Sequence, residues 1–154
     1  MAAWFGYVLI CYLAADLLSG FWHWWEDRYA SESWPIIGRY IAKPNQLHHD
    51  QPLAFLNQSY WNRNYTTILP AAVHAWAHSK GRVTWLIAVL QDVGLFQSPR
   101  HHAVHHIHPF AKKYCVMTDW LNPILDELQV WRLLEWMVYT VTRIEPHGGI
   151  GAHA

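Results

Sequence analysis

The sequence predicts an all-α protein: a small helical bundle, embedded in or associated with a membrane, built around a histidine-lined site for two metal ions. Three observations carry that expectation. Twelve histidines occur in 154 residues, and most stand in close sets: His48-His49, His74-x-x-x-His78 and His101-His102-x-x-His105-His106. Charged residues make up 14% of the chain, against roughly 25% in an average soluble domain. Eleven tryptophans and eight tyrosines accompany them, residue types that collect where a ring has one apolar and one wet side, as at a bilayer interface. Third, apolar positions recur at helical spacing, with no internal repeat and no strong strand alternation.

The length predicts one domain with a modest core, placed at residues 1–146 with 147–154 as a flexible C-terminal tail. A formal net charge of zero with neutral histidine provides no electrostatic footprint for nucleic acid, so no such partner is expected. Cys11 and Cys115 form no CxxC pair, which argues against a disulfide scaffold or a zinc ribbon. The first residues lack a basic n-region, and no clear small-residue cleavage site follows.

Taken in order, Met1 to Phe21 is apolar and aromatic, interrupted by Asp16. Its length is marginal for a span of about 20 residues, so the sequence allows a crossing or a half-buried helix. No charged side chain precedes Asp16, while Arg28, Arg39 and Lys43 follow the segment. The positive-inside rule then puts its downstream end, and the metal site, on the cytoplasmic side. Ser33-Trp34-Pro35 and Lys43-Pro44-Asn45 read as breaks, enclosing a short interfacial helix from Ile36 to Ala42. His48 and His49 fall at a helix start or in a loop before Pro52. Tyr65 to Ser79 reads as a helix entered through Asn62-Arg63-Asn64 and closed near Gly81. Val83 to Phe96 is another. Ser98-Pro99 opens the element that carries the paired histidines and ends near Pro109. Asp126 to Ile144 is amphipathic, with Trp131, Leu134 and Met137 or Val138 on one stripe. The tail after Pro146 is expected to fray.

Helical geometry says what these histidines can do. Each residue turns about 100°, so positions four apart share a face. His74 and His78 aim at one point. So do His102 and His106, with His105 between them and His101 on the flank of the arc. Asp16, Gly20, His23 and Asp27 share one stripe. His23 and Asp27 could bind metal together, or Asp27 could orient another ligand. Asp16 could accept a hydrogen bond from a ligand's distal N–H. On their own, His74 and His78 fit an ordinary helix pair equally well, and His108, His147 and His153 read as isolated histidines. Imidazole suits iron, zinc and copper. Neither the Glu-x-x-His pairs of carboxylate di-iron bundles nor HExxH is present. A membrane cytochrome would use two axial histidines per haem and leave most of the set idle.

In order along the chain, five motifs resemble the CarF/Kua lipid desaturase family. They are Asp16-x-x-Ser19-Gly20-x-x-His23-Trp24-x-x-Asp27, His48-His49-x-x-Pro52, His74-x-x-x-His78, Pro99-Arg100-His101-His102-x-x-His105-His106 and Tyr114-Cys115-x-x-Thr118-x-x-Leu121-Asn122. The resemblance runs from about Asp16 to about Glu135. It implies an integral-membrane, O₂-dependent, non-haem di-iron oxidoreductase that desaturates an acyl or alkyl chain of a membrane lipid. The ligand set it implies is His23, Asp27, His48, His49, His74, His78, His102, His105 and His106, with Asp16 and His101 one layer out. Two iron ions are the expected cofactor, with zinc as a substitute in purified protein. Electrons are expected from an external donor resembling cytochrome b5 or ferredoxin, since no nucleotide-binding glycine motif is present. Trp22, Trp24 and Trp25 could line the substrate cavity, or act as packing and interface anchors. A hydroxylase or other oxidase of a hydrophobic substrate, and a non-enzymatic histidine-rich metal-binding membrane protein, are the alternatives. One departure stands out. Twenty-four residues separate His49 from His74, where family members carry a longer segment contributing membrane helices, so a membrane hairpin is expected to be missing or reduced.

Overall fold

The computed structural model describes residues 1–51, 53, 68–79 and 82–150. Among these, all regular structure is helical. Helix α1 spans Ala2–Arg28. A π-helical stretch at Gly38–Ala42 runs into α2 at Lys43–Asp50. Then come α3 at Ile68–His78, α4 at Trp85–Asp92, α5 at Pro99–His105, α6 at Leu121–Glu127 and α7 at Val130–Thr142.

Helix α1 continues seven residues past the apolar segment expected to end at Phe21, and no proline interrupts it. By length and composition it could cross a membrane, since 27 residues rise about 40 Å against a hydrocarbon core of about 30 Å. Its two halves differ. The first exposes Trp4, Phe5, Tyr7, Val8 and Ile10, whereas the second buries Asp16, His23, Trp24, Asp27 and Arg28. The core therefore gathers on the second half. Trp24, Tyr114, Cys115 and Trp131 form its centre, with Phe21, Leu125, Leu134 and Val138 packed against them.

Between α5 and α6 lies a non-helical strip, Tyr114 to Thr118, in which every residue is at least 95% buried. Backbone buried without a ladder needs other partners, and side chains supply them. Asn122 accepts from Cys115 N–H at 2.9 Å and donates to Cys115 C=O at 2.8 Å. Gln97 donates to the same carbonyl at 2.6 Å. Asp16 accepts from Met117 N–H at 2.9 Å, from Thr118 N–H at 3.1 Å and from the Thr118 hydroxyl. The strip approaches α1 at Gly20, where a Cβ would lie 2.6 Å from Cys115 Sγ and 3.1 Å from Trp131 Cη2. Gly20→Ala should therefore destabilise the fold by about 1–3 kcal/mol through overpacking, despite its better helix propensity. Thermal unfolding of the variant beside wild type is the check.

Several sequence expectations change. The break at Lys43-Pro44-Asn45 is instead continuous helix: Lys43 N–H bonds Gly38 C=O, and the π-helical stretch passes directly into α2, whose first turn holds Pro44. His48 and His49 consequently sit in the last turn of α2, not at a helix start or in a loop. The helix expected over 126–144 is two helices, divided at Gln129, whose φ of 51° is left-handed. No glycine or proline marks that division in the sequence. On α7, Val138 joins the core stripe and Met137 is exposed. The element carrying the paired histidines ends at His105, short of Pro109, and is opened as expected by the Ser98 hydroxyl accepting from His101 N–H at 3.2 Å. The helix entry at 62–64 and the closure at Gly81 lie outside the described residues. Of the tail, His147 and Gly149 carbonyls accept from the Arg28 guanidinium.

Candidate metal centre

Four helices send imidazoles to one place. His23 and Asp27 come from α1, His48 and His49 from α2, His74 and His78 from α3, and His102 and His105 from α5, with His106 at its C-cap. These nine residues form two adjoining donor groups. In one, donor atoms of His23, Asp27, His49 and His105 all lie within 4.8 Å of one another, and in the other so do those of His48, His74, His78 and His106. His102 completes the second group, its Nε2 lying 2.9 Å from His74 Nε2 and 3.0 Å from both His78 and His106 Nε2. The groups touch, with His23 and His74 rings 5.3 Å apart.

Helical spacing sorts the ligands. Residues four apart serve one group: His23 with Asp27, His74 with His78, His102 with His106. Adjacent residues diverge by about 100° and straddle the two: His48 and His49 separate, as do His105 and His106.

The donor set fits metal. His105 Nδ1 lies 2.8 Å from Lys112 C=O, His23 Nδ1 lies 3.2 Å from Tyr114 C=O, and His48 Nδ1 contacts Asn45 C=O. A carbonyl can only accept, so each Nδ1 carries the proton and each Nε2 presents a lone pair inward. Lone pairs facing one another gain nothing without a cation between them. His23 Nε2 is buried and has no hydrogen-bond partner among the described residues. His105 Nε2 and His49 Nε2 are 3.2 Å apart and each 3.2 Å from an Asp27 oxygen. Nitrogen-rich sets with one carboxylate suit iron or zinc over calcium or magnesium.

Burial, followed by the neighbouring imidazoles, holds His48, His74 and His102 well below the usual histidine range, and lowers His106 to about 2. The sign of the pH effect follows. A histidine kept neutral in the fold but free to protonate when unfolded supports the native state above its unfolded value of about 6.5, and that support is lost as pH falls below it. Metal-free protein should therefore lose stability on acidification below about pH 6.5, by about 1.4 kcal/mol per pH unit for each of the buried His48 and His102. Chelator-treated protein melted across this range is the test. A flat profile would refute the burial argument.

Two expected neighbours of the centre lie further out. Asp16 holds the Met117–Thr118 backbone instead of receiving a ligand's N–H, and reaches the centre through the strip that includes Tyr114. His101 sits between Asp119, 3.8 Å away, and Lys113 Nζ at 3.4 Å, on the outer side of α5. Sequence reading passed over Asn45, whose side-chain amide donates to Asp27 Oδ1 at 2.6 Å. It also passed over Phe110, whose ring lies 4.9 Å from that of His49. Asn45 stood in an apparent turn, and a ring contact from a loop leaves no periodic trace.

A helical body enclosing two abutting histidine-rich donor groups defines a candidate di-metal protein. Comparison with known proteins narrows the class: the lipid desaturase domain family matches residues 12–73 and 65–148, and the chain belongs to it. It is 32% identical over 167 residues to fatty acid desaturase 4, chloroplastic, of Arabidopsis thaliana, covering 88% of this chain and 51% of that protein. It is 28% identical over 183 residues to plasmanylethanolamine desaturase of Myxococcus xanthus, covering 96% and 65%. For plasmanylethanolamine desaturase 1 of Mus musculus the values are 26% over 174 residues, 87% and 64%. The chain thus spans between half and two thirds of these relatives' length. The alignments are longer than the chain itself, so the relatives carry residues without counterparts here. The two family matches meet at 65–73, inside the connection from His49 to His74. No solved structure matches the chain.

Proposed function

We propose that the protein is an O₂-dependent, non-haem di-iron enzyme that desaturates an acyl or alkyl chain of a membrane lipid. The observation that carries this reading is the pair of adjoining donor groups in a chain of the lipid desaturase domain family. One iron would be held by His23, Asp27, His49 and His105, the other by His48, His74, His78, His102 and His106. When bound, the irons would supply O₂ reduction and hydrogen abstraction from an unactivated C–H bond, chemistry that side chains lack. The overall reaction balances as –CH₂–CH₂– plus O₂, two electrons and two protons giving –CH=CH– and two waters.

The protein's own part is to orient and to exclude water. Carbonyls of Asn45, Lys112 and Tyr114 fix ring orientation, and Asn45 fixes Asp27. Trp24, stacked on Trp131 at 6.3 Å, closes the side of α1 away from the centre. There a cavity of about 270 Å³ is lined by Trp24, Trp25, Tyr29, Trp34, Val138 and Ile144. Its walls are aromatic and aliphatic and include none of the nine donor residues, so it would hold a distal stretch of a lipid chain and not the reacting carbon, with Trp24 and Trp25 lining that stretch. Trp22 is 42% exposed and packs on Trp25 outside that lining. The apolar first half of α1 would anchor the protein in the bilayer, with the centre at its cytoplasmic end.

The test is direct. Full-length protein loaded with ferrous iron and given a chemical reductant should consume O₂ when lipid is added, and mass spectrometry should find lipid two hydrogens lighter. An alcohol product would move the assignment to hydroxylation. Iron-replete protein that consumes no O₂ with any lipid would refute it.

A further inference from the structure

Desaturation as proposed above needs electrons delivered from outside, and the described residues include a face suited to receive them. Between Asp92 and Asp119 the chain contains no carboxylate, while Arg100, Lys112 and Lys113 all fall there. That stretch holds α5, which carries or caps three of the centre's histidines, and the segment after it, which folds back so that Lys113 Nζ lies 3.4 Å from the His101 ring. Arg100, Lys112 and His108 are exposed. Ile107 is 61% exposed and gives the face an apolar patch.

Two short routes lead inward from this face. Lys112 is exposed, yet its carbonyl lies 2.8 Å from Nδ1 of buried His105. Exposed His108 lies 5.8 Å from the ring of Phe110, which in turn lies 4.9 Å from the ring of His49. Both routes end in the same donor group, that of His23, Asp27, His49 and His105. Electron transfer falls steeply with distance and favours bonded or ring-to-ring paths. The outer faces of α1 and α7 offer a different chemistry: on α7, Leu133, Trp136, Val141 and Ile144, just past its end, point outward in an apolar stripe, suited to lipid.

We propose that the face formed by α5 and residues 106–113 is the docking surface for a small acidic one-electron carrier protein. Its basic side chains steer the carrier, and exposed Ile107 seats it in a small, transient interface of the kind electron-transfer encounters use. Each encounter oxidises one carrier and delivers one electron, so two encounters supply the two electrons of the balanced reaction. Asp119, 3.8 Å from His101, and Asp126, which accepts from Lys113 N–H at 3.3 Å, temper the field at that edge of the face. Arg100 and Lys112 therefore carry the steering.

The inference rests on the desaturase reading, but its test does not need turnover. Full-length protein in detergent is titrated calorimetrically with two acidic carriers, a plant-type [2Fe–2S] ferredoxin and the soluble haem domain of cytochrome b5, and with basic cytochrome c as control. At least one acidic carrier should bind, more weakly as salt rises, and cytochrome c should not. Arg100→Glu and Lys112→Glu should each weaken binding about tenfold at low salt, while Arg132→Glu on α7 leaves it unchanged. Helicity and bound metal should match wild type in all three. Affinity indifferent to both reversals, or no binding by either acidic carrier, would overturn the assignment. Reduction by a small mediator keeps the two claims apart: Arg100→Glu should desaturate normally with the mediator, whereas loss of mediator-driven turnover in wild type itself would count against the desaturase reading.

Discussion

Asp27→Asn should reduce bound metal from two ions per chain to one and lower turnover at least about a hundredfold. Asp27 is the one carboxylate in the two donor groups. Its oxygens lie 3.2 Å from both His49 and His105 Nε2 and 3.7 Å from His23 Nε2. An amide of the same shape removes the negative charge and turns one acceptor into a donor aimed at imidazole lone pairs. The discriminating measurement is stability with and without metal. If the carboxylate exists to hold metal, the chelated variant should melt close to chelated wild type, because the remaining neighbours, the Asn45 amide and the His49 and His105 rings, can hydrogen-bond an amide as well as a carboxylate. The rise in melting temperature on adding metal should shrink. A carboxylate serving packing alone would cost several kcal/mol in both states. His101→Ala provides the contrast. That ring lies outside the cluster, so two ions should remain. Full metal content in Asp27→Asn would remove the basis for the first donor group.

What the sequence revealed and what it hid divide along range. The stripe Asp16, Gly20, His23, Asp27 was readable because a helix turns by a constant angle, and α1 buries all four. The same regularity made the arc of His102, His105 and His106 readable. It also contained more than was drawn from it, since adjacent histidines must straddle two foci while i,i+4 pairs share one. Pro44 misled because proline opens helices as readily as it ends them, and the two cases differ by partners the chain does not announce. The roles of Asp16, Gln97 and Asn122 were hidden for a different reason. Each satisfies backbone of the 114–118 strip, and every residue has the same backbone groups, so nothing in the side-chain pattern says which carbonyl will be orphaned. The orienting carbonyls of Asn45, Lys112 and Tyr114 were invisible on the same ground.

Breaking the ion pair between Arg28 and Glu135 should cost about 3–5 kcal/mol. Glu135 is fully buried on α7 and Arg28 is 4% exposed at the end of α1. Their contact is 2.6 Å, and the remaining guanidinium nitrogens donate to the His147 and Gly149 carbonyls, while His147 N–H returns a bond of 2.7 Å to Arg28 C=O. Removing one partner strands the other charge where water cannot reach it. Arg28→Met and Glu135→Leu should each be severe alone. Together they leave no orphan charge, and the double variant should recover most of the loss. A double variant as unstable as the sum of the singles would show that the pair adds no coupling and that each side chain matters for packing alone. The consequence reaches the centre through α1. Asp27 and Arg28 are neighbours turned about 100° apart, so one residue faces the histidines while the next locks the helix end to α7. Arg28→Met should therefore reduce metal retention without touching a donor atom, and the double variant should restore metal and stability in parallel.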